Sequence, residues 1–179
     1  MSEGSLGSRE IRLVCRLQPG SQGIDVVLEA LRAAGYTLDG NSILRGSLRA
    51  EFRATSLSGD EAMILVKSAE PDEFRSLLGL LVRECWYVDV YYHLRGGDAR
   101  AAAGGLGIQL PEDGVYRSRV RFSGVELRVD AYPRHGALTI SYRAGWREVN
   151  SGAALKIHER ILGMESGRGI FDKLLGWIR

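Results

Sequence analysis

Hydrophobic and polar residues alternate through EIRLVCRL, with Ile11, Leu13, Cys15 and Leu17 on one side and Arg12 and Arg16 on the other. That period of two predicts a half-buried strand. After QPGSQG the period changes: Ile24, Val27, Leu28 and Leu31 fall at i, i+3, i+4 and i+7, with Asp25 in the first turn and Gly35 as a stop, which predicts a helix. Alternation returns in ILRGSLRAEFRAT, read as one strand with Leu44, Leu48, Ala50 and Phe52 inward and Arg45, Arg49 and Arg53 on the other face. LSGDE reads as a turn. AMILVK is apolar at both parities, the mark of a central strand covered on both sides. Pro71 opens a second helix with Asp72 and Glu73 behind it and Phe74, Leu77, Leu78, Leu81 and Val82 along its apolar face. The aromatic and β-branched run WYVDVYYHL is again a strand. The order βαββαβ is that of the split plait of ferredoxin-like folds.

Residues 96–114 break the pattern. Gly and Ala dominate, so the segment reads as a connector with at most one helical turn near Ala99–Ala103. VYRSRVRF, VELRVDAY and ALTISYRA follow at hairpin spacing, joined by Ser123-Gly124 and by Pro133–Gly136. NSGAALKIHERILGM predicts an amphipathic helix. In GIFDKLLGWIR, a helical arrangement gathers Ile170, Phe171, Leu174, Leu175, Trp177 and Ile178 into one arc. That face is expected to dock on the protein's own sheet, with a subunit or partner groove as the alternative; its polar side is too weakly basic for a lipid surface. The fold class expected is therefore α+β: an antiparallel sheet with a ferredoxin-like start over residues 10–95, then a connector, then a three-strand meander and two C-terminal helices over 115–179. Residues 1–9 read as a polar tail and 10–179 as a single domain, neither half having much core alone.

Composition changes this picture little. With 179 residues, 45% hydrophobic and 26% charged, the chain resembles an ordinary globular protein. Its start lacks a basic segment followed by an apolar one, and no run reaches a membrane span, so the expected compartment is the cytoplasm. A net charge of +2 implies no nucleic-acid partner by itself. The kind of cation matters more: Lys67, Lys156 and Lys173 are the only lysines among 24 cationic residues. Guanidinium suits bidentate pairing with phosphate or carboxylate. Arginine excess also fits a GC-rich genome or, with few amides, a protein that works hot.

The candidate chemistry follows from strand parity. Arg45, Arg49 and Arg53 on one strand, and Arg117, Arg119 and Arg121 on another, form two rows with same-face spacing of about 7 Å. That interval resembles the distance between phosphates on an extended strand, and Tyr87, Tyr91 and His93 offer rings for stacking. The competing view makes these arginines a solvated sheet face paired with Glu51, Glu126 and Asp130. An RNA-recognition motif is disfavoured because AMILVK carries no exposed aromatic.

Asp89 and His93 share a face but lie about 13 Å apart along the strand, too far to ligate one ion. Cys15 points inward as a small hydrophobe, and with no CxxC and no Cys/His cluster no structural zinc is expected. His158 falls in its helix's apolar arc and reads as a core histidine. No P-loop, GxSxG or Cys/His pairing supports catalysis. No cofactor, metal or catalytic residue is nominated. The expectation is a non-catalytic module binding single-stranded RNA or DNA. The alternatives are an oligomeric regulatory or small-molecule-binding domain with a pocket between sheet and C-terminal helices, and an enzyme whose site is shared between copies.

Overall fold

The structure, a computed structural model, describes residues 9–17, 23–54 and 60–163. The expected N-terminal tail and the C-terminal helix with Ile170, Phe171, Leu174, Leu175, Trp177 and Ile178 lie outside the described residues. So does most of the QPGSQG and LSGDE turns.

The strands are β1 (Arg9–Arg16), β2 (Thr37–Asp39), β3 (Ser42–Arg45), β4 (Leu48–Ala54), β5 (Glu61–Ser68), β6 (Tyr87–Arg95), β7 (Tyr116–Phe122), β8 (Val125–Tyr132) and β9 (Ala137–Ala144). The helices are α1 (Ile24–Ala33), α2 (Pro71–Glu84), α3 (Gly96–Gly105), α4 (Trp146–Asn150) and α5 (Ala153–Leu162). The nine strands of the described residues join one sheet in the order β2-β3-β4-β5-β1-β6-β9-β8-β7. Every pairing is antiparallel. The protein is thus a mixed α+β structure built on a large antiparallel sheet, and β6 is where its first and second halves meet.

Side-chain parity explains the two layers. Leu13, Cys15, Ile64, Val66, Val88, Val90, Tyr92, Leu138, Ile140, Leu127 and Val129 all point to one face and are buried. The helices cover that face through Val27 and Leu31 of α1, Phe74, Leu77, Leu78 and Leu81 of α2, and Ile157 and Ile161 of α5. Burying a side chain of this size contributes about 1.5–3 kcal/mol, so this layer drives folding. Along β1, β5, β6 and β9 the intervening residues are only half-buried or exposed. No described helix covers that second face.

Three sequence readings need correction. ILRGSLRAEFRAT is two strands: Gly46, at φ +53°, turns the chain between β3 and β4. The turn resets the parity, so Leu44 pairs with Arg49 on the helix-free side and Arg45 swings to the helix side. There its guanidinium bonds Glu73 at 3.1 Å and the Ala34 carbonyl at 3.2 Å, and lies 4.3 Å from the centre of the Tyr36 ring.

β5 is not covered on both sides. Ala62, Ile64 and Val66 are buried, whereas Met63 and Leu65 are half-exposed opposite Arg53 and Arg12. Long arginine stems cover such apolar residues while their charged ends stay in water.

The segment taken as a connector holds a ten-residue helix, α3, whose Ala99, Ala102 and Ala103 are buried. Alanine favours helix strongly, and small residues allow close approach: a Cβ on Gly105 would lie 3.3 Å from the Arg160 carbonyl of α5. The hairpins fall where expected. Ser123 and Gly124, at φ 51° and 77°, make the left-handed turn that joins β7 to β8.

Candidate functional site

The helix-free face presents its groups in registered rows. One row crosses five strands: Arg119 of β7 stands opposite Arg128 of β8, Arg128 opposite Ser141 of β9, Ser141 opposite Tyr91 of β6, and Tyr91 opposite Arg12 of β1. Four strand intervals make this row about 19 Å long. Its first step sets two guanidiniums directly opposite each other, with Cβ atoms about 5 Å apart, an arrangement that destabilises a sheet unless anions offset it. Glu126 supplies part of that offset to Arg119 at 3.4 Å, and Asp130 serves both Arg128 at 3.1 Å and Arg117 at 3.5 Å. One carboxylate shared by two arginines leaves positive charge unbalanced. Among the described residues Arg121 has no ion pair closer than 4 Å.

Arg143 of β9 grips Asp89 with two hydrogen bonds, Nε to Oδ1 at 2.8 Å and Nη2 to Oδ2 at 3.1 Å. Its guanidinium lies 3.7 Å from the centre of the Tyr87 ring. Asp89, Tyr91, Arg119, Arg128, Ser141 and Arg143 line an open groove of about 560 Å³. A second groove of about 370 Å³, between Arg12, Arg16, Tyr87 and His93, shares Asp89 and Tyr91 with the first. The two form one trough along the middle of the sheet.

Tyr91 and His93 are parallel within 2°, with ring centres 6.0 Å apart, as successive same-face residues of a strand should be. His93 Nδ1 meets the Thr139 hydroxyl at 3.0 Å. Burial, and then the nearby Arg12 charge, hold the His93 pKa below that of a free imidazole, so the ring is neutral at pH 7. Tyr91 is shifted upward, chiefly by burial and then by the Asp89 carboxylate, and stays a phenol able to donate a hydrogen bond. Arg143 is shifted further upward by its bond to Asp89.

The residues nominated from sequence divide into three sets. Tyr87, Tyr91, His93, Arg117, Arg119 and Arg121 share the helix-free face around the trough. Arg49 and Arg53 lie on the same face, but β4 and β7 are six intervals apart, about 29 Å. Arg53 is bonded to Glu51 at 3.1 Å and Lys67 to the same carboxylate at 3.0 Å, which lower the Glu51 pKa. Arg45 is on the other side of the sheet altogether. Arg12, Arg16, Arg128, Ser141 and Arg143 of the trough were not nominated, and Asp89 was weighed only as a metal ligand. Their signal was the parity of EIRLVCRL, VELRVDAY and ALTISYRA, which becomes useful only once β1 and β9 are known to flank β6 and β8 to lie beyond β9.

Chemically the trough offers guanidiniums and hydroxyls for anions and flat rings for stacking. Among the described residues no group of three His, Cys, Asp or Glu side chains is placed to hold a metal ion. No family model matches this chain, and no curated protein matches it in sequence.

Proposed function

We propose that this protein binds single-stranded nucleic acid on the helix-free face of its sheet. The observation that carries the reading is the crossing row Arg119–Arg128–Ser141–Tyr91–Arg12, which sets three guanidiniums and a hydroxyl in line with a stacking ring on one surface. Base–aromatic stacking contributes about 1–3 kcal/mol per base and tolerates any sequence, so the reading is of a binder with weak base preference. The polynucleotide runs across the strands rather than along them, and occupies about four nucleotides, the short end of such sites. The β4 arginines lie off this row, which continues from Arg12 through Leu65 to the acidic Glu51, the carboxylate that holds Arg53. In this reading the first half is a ferredoxin-like unit, supported by its spatial order β4-β5-β1-β6, and β9, β8 and β7 are a meander that widens the unit's open face.

A second reading rests on the groove itself: about 560 Å³ falls within the range of small-molecule sites, and its three arginines outnumber the two carboxylates, Asp89 and Glu126, that line it with them, which suits a small phosphorylated ligand. Salt dependence separates the two. Fluorescence anisotropy with a labelled twelve-nucleotide oligomer is expected to show affinity falling steeply between 50 and 200 mM salt, since several phosphates release counterions. Arg119→Glu with Arg128→Glu is expected to weaken binding at least tenfold, and Arg53→Glu less than twofold. Absence of binding at 50 mM salt would remove the nucleic-acid reading. Competition by a single nucleotide as effective as the oligomer would favour the small ligand.

A further inference from the structure

The chain has two cysteines, seventy positions apart, and the fold brings them together. The Arg16 carbonyl at the end of β1 accepts a hydrogen bond from the Trp86 N–H at 2.8 Å. Each cysteine is therefore the immediate chain neighbour of one partner in that bond. Cys15 faces the helix layer, opposite Ala62 on one side and Val88 on the other. Cys85 closes α2, its N–H bonded to the Leu81 carbonyl at 2.8 Å. Both thiols are free and buried, and they lie close enough for the Cys85 thiol to act on the ionisation of Cys15. A backbone hydrogen bond between their chain neighbours sets the two cysteines at adjoining points of β1 and the end of α2, and with no third cysteine in the sequence neither has another intramolecular partner.

We propose that Cys15 and Cys85 are a disulfide couple, closed by exchange with a low-molecular-weight disulfide of the glutathione class, and that the bond ties β1 to the end of α2. The Cys85 thiolate attacks one sulfur of the external disulfide and expels one small thiolate, which takes up a proton. The Cys15 thiolate then attacks the Cys85 sulfur and expels the second. One disulfide is reduced to two thiols while two protein thiols become one disulfide. Cys85 is the entry point: it lies at a helix end, next to Trp86, which is 60% exposed. Cys15 is sealed in the core, and the neighbouring Cys85 thiol and burial raise its pKa, so closure is slow at neutral pH and quicker near pH 8.5 or when the last turn of α2 opens.

The test uses the full chain, first fully reduced, then held with oxidised glutathione at pH 8.5 a few degrees below its melting temperature. The expected product is a monomer on a non-reducing gel, lighter by two hydrogen atoms, and unlabelled by maleimide after denaturation. For a loop of this length the melting temperature is expected to rise by about 10 °C and to fall back on reduction. Cys85→Ser, which leaves the core sulfur in place, is expected to abolish the response, and Cys15→Ala serves as the second variant. Two maleimide-reactive thiols, a retained glutathione adduct or a link between chains would each overturn the proposal, and none of these readouts requires either variant to fold.

Discussion

The imidazole of His158 stacks on Phe74 with ring centres 4.0 Å apart, and its Nδ1 meets the Tyr92 hydroxyl at 3.0 Å. It is 1% exposed, its Nε2 has no hydrogen-bond partner among the described residues, and burial drives its pKa down to about 3. In the unfolded chain the same group titrates near 6.5. The sign follows: above about pH 6.5 both states are neutral and stability is full, whereas below it the unfolded chain takes a proton that the folded one refuses. Stability is expected to fall by roughly 1 kcal/mol per pH unit from about 6.5 toward 3 on this account. Urea midpoints for the protein and for His158→Phe, compared at pH 7 and pH 5, check it: the variant keeps the stack and should show the smaller pH dependence, while equal slopes would contradict it. This residue was legible because three apolar neighbours on its helix arc bury whatever shares that arc. Arg45 was not legible, because its position depends on a turn that alternation alone does not reveal.

That turn is decided at the scale of the hairpin. Gly46 sits at φ +53°, and a Cβ added there would come within 2.7 Å of Glu73 Oε1, whose carboxylate already holds Arg45. Gly46→Ala is expected to cost about 1–2 kcal/mol, from the left-handed backbone and from displacement of the ion pair, and to leave oligonucleotide affinity unchanged. Thermal melts and anisotropy on the one variant measure both. A counterpart on the opposite face, such as Arg128→Ser, is expected to behave in the reverse way, changing affinity more than stability.

Elements with one clear signal were readable from sequence: β1 from alternation, β6 from its aromatic and β-branched run, α2 from Pro71 and its apolar arc. Elements built on small residues were not. In α3 the Gly and Ala content that resembles a loop is what lets the helix lie against α5. β2, three residues long, is too short to show a period at all.

At the scale of the whole molecule, the trough belongs to no single segment. Its row draws Arg12 from the first strand, Tyr91 from the sixth, and Ser141, Arg128 and Arg119 from the last three. What joins them is that β9, not β7, pairs with β6. Alternation told which side each residue takes, but strand order sets which residues are neighbours, and long-range pairing leaves little trace in local pattern. That is why the β7 arginines and the β6 aromatics could be singled out from sequence while Arg12, Arg128, Arg143 and Ser141 could not. It is also why the two arginine rows, alike in spacing, are unlike in setting: one adjoins the trough, and the other is split, with Arg45 on the helix side and Arg49 and Arg53 on β4, about 29 Å from β7, where Arg53 is bonded to Glu51.

The most direct measurement is an NMR titration of the isotopically labelled protein with a short single-stranded oligonucleotide, following backbone amides. The account predicts shifts concentrated at Arg12, Tyr91, Arg119, Arg128, Ser141 and Arg143, with α1, α2, α5 and the β4 residues Arg49 and Arg53 unmoved. Shifts centred on the helices or on β4, or none at saturating oligonucleotide and low salt, would contradict it.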